Sequence, residues 1–255
     1  ILSLFPNLHK SKAGILARLR TDREIKLFSQ RYDIYNNSAR NLIKLVRQWN
    51  KEIQMNPFIL VSQEEHDLIV GSLMGDASIR QREKNSCFRV AHSVKQEKYI
   101  NFKLNLLRNF NISEFERRKR IINNREVNMI YLSTKTNAVF NYYRNLFYKS
   151  GRKIVSQEIL NQLNARSLAY WICDDGSFCK KQEYFIICTN SYNLEEHKLM
   201  KQFFNEKFKL NLTIGFRNEK YYYLRFNKED SKKLIEIIKP FIPQSMNYKI
   251  GDKNE

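Results

Sequence analysis

The sequence lacks a long apolar run, and it has too few acidic residues to balance its basic ones. No run approaches the ~20 apolar residues that a membrane-spanning helix requires. The 26 Asp and Glu stand against 45 Lys and Arg, which gives a formal net charge of +19 over 255 residues. Because the basic residues are spread along the whole chain, a membrane surface is a poor partner for them. We therefore expect no membrane association and a nucleic acid as the partner.

Cysteine, glycine and proline are also scarce. The four cysteines form no Cys-x-x-Cys pair and have no histidine pair nearby, which excludes the usual structural zinc spacings and leaves reduced thiols. Only 7 Gly and 4 Pro occur, whereas Lys, Asn, Ile, Phe and Tyr, whose codons are rich in A and T, are abundant. This bias indicates an AT-rich genome, such as that of an organelle.

Residues 1–60 predict an accessory basic helical segment. Helical spacing places four apolar residues on one face, namely Leu42, Leu45, Val46 and Trp49. A basic cluster precedes them, made up of Lys10, Lys12, Arg18, Arg20 and Arg23. Composition leaves two interpretations of this cluster open, a solvated helix face or a contact to nucleic acid.

The rest of the chain contains a repeat, which we divide into halves at 61–155 and 156–255. Each half begins with an acidic helical segment, HDLIVGSLMGDAS at 66–78 and SLAYWICDDGS at 167–177. Each segment is followed by a hairpin, an amphipathic helix, a second hairpin and a closing helix. The pattern predicts an α+β fold of two pseudo-symmetric α-β-β-α-β-β-α halves with antiparallel, saddle-shaped sheets.

The strands predict one apolar and one basic face for each sheet. In the second half, apolar residues alternate with polar ones at Leu212, Ile214, Phe216, Tyr222, Leu224 and Phe226. A basic antiparallel sheet suits the major groove, and four consecutive basic residues at 117–120 argue against an ordinary solvated face. The residues predicted to bind nucleic acid are Arg80, Arg82, Arg89, Arg118, Arg120, Arg125, Lys180, Arg217, Tyr223 and Arg225.

The acidic segments predict a shared metal site. Small residues, including Gly71 and Gly75, would let the two helices pack closely and would bring Asp76 and Asp175 together. Both acids would lie at helix C-termini, where the macrodipole and mutual repulsion disfavour negative charge. Divalent cations resolve this conflict and suggest phosphodiester hydrolysis. The alternative is a simple helix exit, with Gly176 as its left-handed cap residue.

Both segments resemble the motif of the LAGLIDADG homing endonucleases, in their monomeric, two-motif form. The copies are IVGSLMGDA and LAYWICDDG, and each keeps the acid at the eighth position. The first copy departs from the motif at Met74 and Ala77, and the second departs at Tyr170 and Cys173. The resemblance extends from about residue 65 to residue 250, so residues 1–60 lie outside it.

The resemblance implies that Asp76, Ala77, Asp175 and Gly176 bind Mg²⁺ or another divalent cation, with the two aspartates as catalytic ligands. The cation would activate a water that attacks the phosphodiester.

The resemblance also implies a role for two lysines, Lys153 and Lys249, which are 96 residues apart. Each would stabilise charge on the phosphate or tune the attacking water, and a surface role is the alternative for either. His92 and Asn190 are expected to order water around the metals. For His92, an ordinary strand histidine is an equal alternative.

The predicted function is therefore a site-specific DNA endonuclease that makes a metal-dependent double-strand break at a long asymmetric target, as in intron homing. The protein would bind double-stranded DNA and would be a monomer. It would be located in an organelle, the mitochondrion rather than the chloroplast. One alternative is an RNA-binding intron maturase or a structural component of an RNA–protein assembly, with structured RNA as partner and without cleavage. A sequence-specific DNA binder without cleavage is a third. Retention of both acids favours the nuclease.

Overall fold

Three helices form the N-terminal segment of the computed structural model, which describes residues 1–122 and 124–252. The helices are α1 (Lys10–Leu16), α2 (Asp22–Arg31) and α3 (Ala39–Met55). The predicted apolar face lies on α3, where Leu42, Val46 and Trp49 are buried and Leu45 is half-buried.

The N-terminal helices share a core with the first half of the repeat. Glu24 of α2 is buried and accepts hydrogen bonds from Trp49 Nε1 and from Asn137 Nδ2, both at 3.1 Å. Burial raises the pKa of Glu24. The Arg23 guanidinium pairs with the buried carboxylate of Glu65 at 2.8 Å. The N-terminal segment thus packs against the first half of the repeat.

The predicted order of elements is present in both halves, so the α+β prediction is confirmed. The first half contains α4 (Gln63–Met74), β1 (Ser78–Gln81), β2 (Ser86–Ser93), α5 (Glu97–Leu107), β3 (Ile112–Ile122), β4 (Arg125–Thr134) and α6 (Val139–Phe147). A connection follows, with β5 (Tyr148–Lys149), β6 (Arg152–Lys153) and α7 (Gln157–Gln162). The second half contains α8 (Ala165–Asp175), β7 (Gly176–Cys179), β8 (Tyr184–Ile187), α9 (Leu194–Phe208), β9 (Leu212–Arg217), β10 (Tyr221–Phe226) and α10 (Lys228–Ile238). The chain then forms 3-10 helices at Lys239–Phe241 and Gln244–Ile250.

Each half builds one antiparallel four-stranded sheet with the same topology. The strand order is β1-β2-β4-β3 in the first sheet and β7-β8-β10-β9 in the second. The inner strands bury apolar residues, such as Phe88 and Val90 in β2 and Leu224 and Phe226 in β10. No described helix has the length and apolar composition needed to cross a membrane.

The predicted apolar face of the β9–β10 hairpin is buried only at its base. Leu212, Leu224 and Phe226 are buried, whereas Phe216 near the turn is 53% exposed. Phe216 pairs in register with Tyr222, and their rings lie 4.7 Å apart. Phe216 therefore lies on the predicted apolar face but beyond the part of it that the core covers.

Candidate metal centre and nucleic-acid interface

The two motif helices, α4 and α8, pack against each other at the centre of the molecule. Each begins with a capping box, in which the N-cap residue and the third residue of the helix exchange hydrogen bonds, Ser62 with Glu65 and Asn164 with Ser167. A Cβ atom added to Gly71 would lie 2.2 Å from the Ser167 carbonyl oxygen and 2.9 Å from the Tyr170 Cβ. Glycine at position 71 therefore makes room for Tyr170 on the facing helix, and close packing survives the loss of the second motif's glycine.

The crossing brings Asp76 and Asp175 to the same place. Asp175 ends α8, and Asp76 follows the last turn of α4. Burial raises the pKa of Asp175 to about 8, and the carboxylates of Asp76 and Asp174 add to this shift. The Asp76 side chain keeps 46% of its surface accessible. The surrounding protein nevertheless excludes part of the water around its carboxylate, and this desolvation, together with the charge of Asp174, raises the pKa of Asp76 to about 6. The predicted electrostatic conflict between the acids is present.

Lys153 and Lys249 lie at the C-terminal ends of the two motif helices. Lys153 Nζ donates to the carbonyl oxygens of Leu73, Gly75 and Ala77 at 2.8 to 2.9 Å. Lys249 Nζ donates to the carbonyl oxygens of Asp174 and Gly176 at 3.2 and 3.0 Å. Both ammonium groups therefore offset the negative ends of the helix dipoles.

The geometry at Gly176 argues against a simple glycine-capped helix exit. Its φ is −78° and ψ is 152°, an extended conformation, and the residue continues directly into β7. A side chain at this position would meet the Ile172 carbonyl oxygen at 2.6 Å and a Phe185 ring carbon at 2.9 Å. The residue is glycine because of close packing and not because of a left-handed backbone.

Asp174 and Lys103 form a buried ion pair beside the two acids, and the sequence analysis missed it. Lys103 Nζ lies 2.8 and 3.1 Å from the two carboxylate oxygens of Asp174, and both side chains are fully buried. One signal was available, because Tyr99, Lys103 and Leu107 recur every four residues along α5. That spacing places a lysine within the apolar face of the helix.

His92 and Asn190, which were predicted to order water, occupy different surroundings. His92 is buried on β2, with Nδ1 at 3.6 Å from Asp76 and Nε2 at 3.7 Å from Asp174. Burial, followed by the Lys103 ammonium, lowers the pKa of His92 to about 3, so the ring is neutral at pH 7. Asn190 is exposed and accepts a hydrogen bond from Arg217 at 3.2 Å.

The groups around Asp76 fit a divalent cation. Ligand atoms of Asp76, His92 and Asp174 lie within 4.8 Å of one another. The His92 Nε2 atom is buried without a hydrogen-bond partner among the described residues. The carbonyl groups of Ala77 and Gly176 each accept from a lysine, and an oxygen lone pair remains on each. Carboxylate and carbonyl oxygens suit Mg²⁺, Ca²⁺ and Mn²⁺.

The first sheet presents the predicted basic residues on one face. Register places Arg80, Arg89, Arg118 and Arg120 on the same side. Arg82, just beyond β1, and Arg125, at the start of β4, are also exposed. A concavity of about 460 Å³ on this face is lined partly by Arg20 of the N-terminal segment.

Two carboxylates also lie on this basic face. Glu114 lies 3.6 Å from Arg89 and 3.0 Å from Arg118, and Glu116 also pairs with Arg118. These pairs reduce the net positive charge locally, and their carboxylate oxygens are hydrogen-bond acceptors.

The second sheet repeats the basic face with fewer charges. Arg217, Tyr223 and Arg225 share one side of the β9–β10 hairpin. Tyr223 lies over Gly215, where an added Cβ atom would meet its ring at 2.1 Å, and the Arg217 guanidinium lies 5.6 Å from the ring centre. Lys180 is exposed just beyond β7. Stacked aromatic and guanidinium groups of this kind bind nucleic acids elsewhere.

Comparison with known proteins agrees with this architecture. The family model described as the LAGLIDADG DNA endonuclease family matches residues 66–234. The probable intron-encoded endonuclease 1 of Wickerhamomyces canadensis is 26% identical over 216 residues, which cover 81% of this chain and 90% of that protein. The cytochrome b mRNA maturase bI2 of Debaryomyces hansenii is 29% identical over 201 residues, which cover 75% of each protein.

A solved structure shares the fold. The homing endonuclease I-WcaI bound to its DNA recognition sequence superposes with a TM-score of 0.70 at 21% identity, covering 86% of this chain and 95% of that chain. The alignment therefore extends beyond the repeat into part of the N-terminal segment, since 86% exceeds the share that residues 61–255 represent.

Proposed function

Because the chain belongs to the LAGLIDADG DNA endonuclease family, we propose that it is a site-specific DNA endonuclease that makes a metal-dependent double-strand break. One observation carries the proposal. Asp76 and Asp175 meet at the ends of two closely packed helices, between two sheets with basic faces. Two acids at one centre could serve the two strands of a duplex, and the basic faces would provide contacts to the flanking phosphates.

The residues of this chain have distinct roles in the proposed reaction. Asp76 and Asp175 would hold the divalent cation, Mg²⁺ by preference, together with the carbonyl oxygens of Ala77 and Gly176. The cation lowers the pKa of a bound water and neutralises charge on the phosphate. His92, neutral and buried, would orient water beside Asp76, and Asn190 would do so at the second site.

The two lysines would act differently. Lys153 donates all three of its N–H groups to carbonyl oxygens. It would therefore act through the positive charge that it places at the helix end, and not through a hydrogen bond to the phosphate. Lys249 donates to two carbonyl oxygens, whereas an ammonium group carries three N–H donors. Its third donor would be free for a phosphate oxygen or a water.

The basic faces would position the duplex. The ten residues proposed to contact nucleic acid are Arg80, Arg82, Arg89, Arg118, Arg120, Arg125, Lys180, Arg217, Tyr223 and Arg225. They lie on or beside the two sheets, and their arrangement differs between the halves. An asymmetric target is expected for that reason. Since one chain supplies both halves, a monomer would suffice.

We propose the domain boundaries 1–60, 61–155 and 156–255, with the first segment docked on the first half. We also propose an intron-encoded, organellar origin, in a mitochondrion rather than a chloroplast. The abundance of residues whose codons are rich in A and T, and the name of the Wickerhamomyces canadensis relative, a probable intron-encoded endonuclease, support this origin.

An RNA role is the second candidate, supported by the 29% identity to a protein named as an mRNA maturase. The deciding experiment incubates the purified protein with a duplex that spans the intron-less host-gene junction, in Mg²⁺ or in EDTA. We expect cleavage of both strands in Mg²⁺ alone. A protein that cuts no duplex and binds structured RNA more tightly than DNA at matched salt would be a maturase or an assembly component.

A further inference from the structure

The side chain of Asp174 occupies a position that the first motif helix leaves empty. The residue at the equivalent place in α4 is Gly75, and a Cβ atom there would lie 2.5 Å from the Asp174 Cβ. The two positions face each other across the helix pair. One helix therefore contributes a buried carboxylate and the other contributes the space that holds it, which makes the centre of the molecule asymmetric.

The Asp174 carboxylate joins three parts of the first half. Lys103 on α5 binds both of its oxygens, and the main-chain N–H of Asp76 donates to Oδ2 at 3.3 Å. His92 Nε2 on β2 lies 3.7 Å from Oδ1. Since Asp174 belongs to α8, this set of contacts ties the second half to the segment that carries Asp76.

The Lys103–Asp174 ion pair cannot lose one partner without a cost to the other. Both side chains are fully buried, and Lys103 Nζ also lies 4.5 Å from the centre of the Tyr99 ring. A buried carboxylate that loses its cation must find water or move, because an isolated charge is costly in a nonpolar interior. Any movement of Asp174 displaces the acceptor for the Asp76 N–H group and so changes where the Asp76 carboxylate lies.

We propose that Lys103 is a positioning residue that, through Asp174, holds Asp76 in place for cation binding. This proposal rests on the proposed function, in which Asp76 is a metal ligand. It concerns one side of the centre, because Gly75 in α4 offers no matching carboxylate toward Asp175. Loss of the pair is therefore expected to weaken the cation site at Asp76 and to slow cleavage of one strand more than the other.

The test compares Lys103→Met with Lys98→Met, a control at an exposed position on the same helix. Mn²⁺ affinity is measured by electron paramagnetic resonance on the full chain without DNA. Rates are then measured for each strand of a target duplex with separately labelled strands. We expect Lys103→Met to lower Mn²⁺ affinity by about tenfold or more, as is typical when a residue that supports a metal ligand is lost. The ratio of the two strand rates should also change, and Lys98→Met should alter neither.

A double variant, Lys103→Met with Asp174→Asn, guards against simple unfolding. It removes both charges, so its melting temperature should recover relative to Lys103→Met while its Mn²⁺ affinity stays below wild type. Wild-type Mn²⁺ affinity and an unchanged strand ratio in a folded Lys103 or double variant would overturn the positioning role. If the wild-type protein cuts no duplex, the proposed function fails, and the Mn²⁺ titrations alone decide whether Lys103 positions Asp76.

Discussion

Gly71 and Ser167 approach so closely that a Cβ atom at position 71 would lie 2.2 Å from the Ser167 carbonyl oxygen. This contact fixes the separation of α4 and α8, and with it the distance between Asp76 and Asp175 at the C-terminal ends of the two helices. The obstacle is backbone and not a flexible side chain, so a larger residue at position 71 must move a helix.

Gly71→Ala should therefore destabilise the protein by about 1–3 kcal/mol, the usual range for an overpacked core, and should reduce cleavage. Gly14→Ala provides the matched control, because nothing lies within 4 Å of a Cβ atom there. Alanine in the helical position of Gly14 should stabilise by about 0.5–1 kcal/mol. Urea unfolding of both variants measures the difference, and equal stabilities would show that the helices are not in close contact.

Asp175→Asn should abolish cleavage and leave DNA affinity largely unchanged, because it removes a proposed metal ligand and none of the proposed nucleic-acid contacts. Asp76→Asn should do the same. In EDTA at pH 8, Asp175→Asn should also melt at a higher temperature than wild type, since burial and neighbouring carboxylates disfavour the ionised acid. Calorimetry and gel-shift binding test these outcomes, and near wild-type cleavage by either variant would place the metal elsewhere.

The two aspartates should destabilise the metal-free protein increasingly as pH rises from about 4 to about 8. The folded pKa values of about 6 for Asp76 and about 8 for Asp175 exceed the value of ~3.9 for an unfolded aspartate. These two carboxyl groups therefore bind more protons in the folded state than in the unfolded state in this window, so raising the pH lowers their contribution to the free energy of unfolding. The destabilisation is absent below the unfolded pKa and complete above the folded pKa of Asp175.

The check for this pH effect is the difference in melting temperature between wild type and Asp175→Asn in EDTA, because other titrating groups cancel in the difference. That difference should grow toward pH 8. Mg²⁺ should reduce it, since the cation binds the ionised form. A difference that does not vary with pH would mean that Asp175 has an ordinary pKa.

The sequence was sufficient to predict the repeat and the two acids, because both are local patterns that recur at one spacing. Asp76 and Asp175 each lie at the C-terminal end of an apolar helical segment, and the hairpins after them alternate with period two. The family resemblance identified Lys153 and Lys249, whose ammonium groups do lie at the helix ends. Their hydrogen bonds to backbone carbonyl oxygens could not be predicted, since main-chain acceptors leave no trace in the sequence.

The Lys103–Asp174 pair shows why the rest was missed. The two residues are 71 positions apart and come from different halves, so no local pattern connects them. Asp174 also directly precedes Asp175, which was predicted to bind metal. Its position before Asp175 and Gly176 is typical of the end of a helix, so no separate role was assigned to it. The exposure of Phe216 could not be predicted for another reason, because alternation predicts which face a residue lies on and not how far the covering helices extend.

Affinity for duplex DNA should fall steeply with salt. The net charge is +19, and six of the proposed contact residues lie on or beside the first sheet. Each phosphate that the protein neutralises contributes about −0.9 to the slope of log affinity against log salt. The slope is measured by fluorescence anisotropy at salt concentrations from about 50 to about 300 mM, roughly the range in which such slopes are resolved. Replacement of Arg120 by Ala should reduce the slope by about one, and a flat dependence would rule out a polyanion as the partner.

Glu24 joins the N-terminal helices to the first half, so its loss should destabilise the whole protein. Its carboxylate accepts from the Arg20 N–H at 2.9 Å as well as from Trp49 and Asn137. Glu24→Ala would leave the Trp49 and Asn137 donors buried without this acceptor, and each such group costs about 1–3 kcal/mol. We expect a total of several kcal/mol, reduced where water enters the space.

Glu52→Ala is the control for this prediction. Glu52 pairs with Arg31 on the surface at 2.7 Å, and such exposed pairs contribute about 0–1 kcal/mol. Chemical denaturation of both variants should therefore separate them clearly. Both should retain cleavage at a temperature where they are folded, because the proposed cation ligands lie beyond residue 75. If Glu24→Ala were as stable as Glu52→Ala, the N-terminal helices would be loosely attached. Deletion of residues 1–60 would then leave a folded endonuclease core.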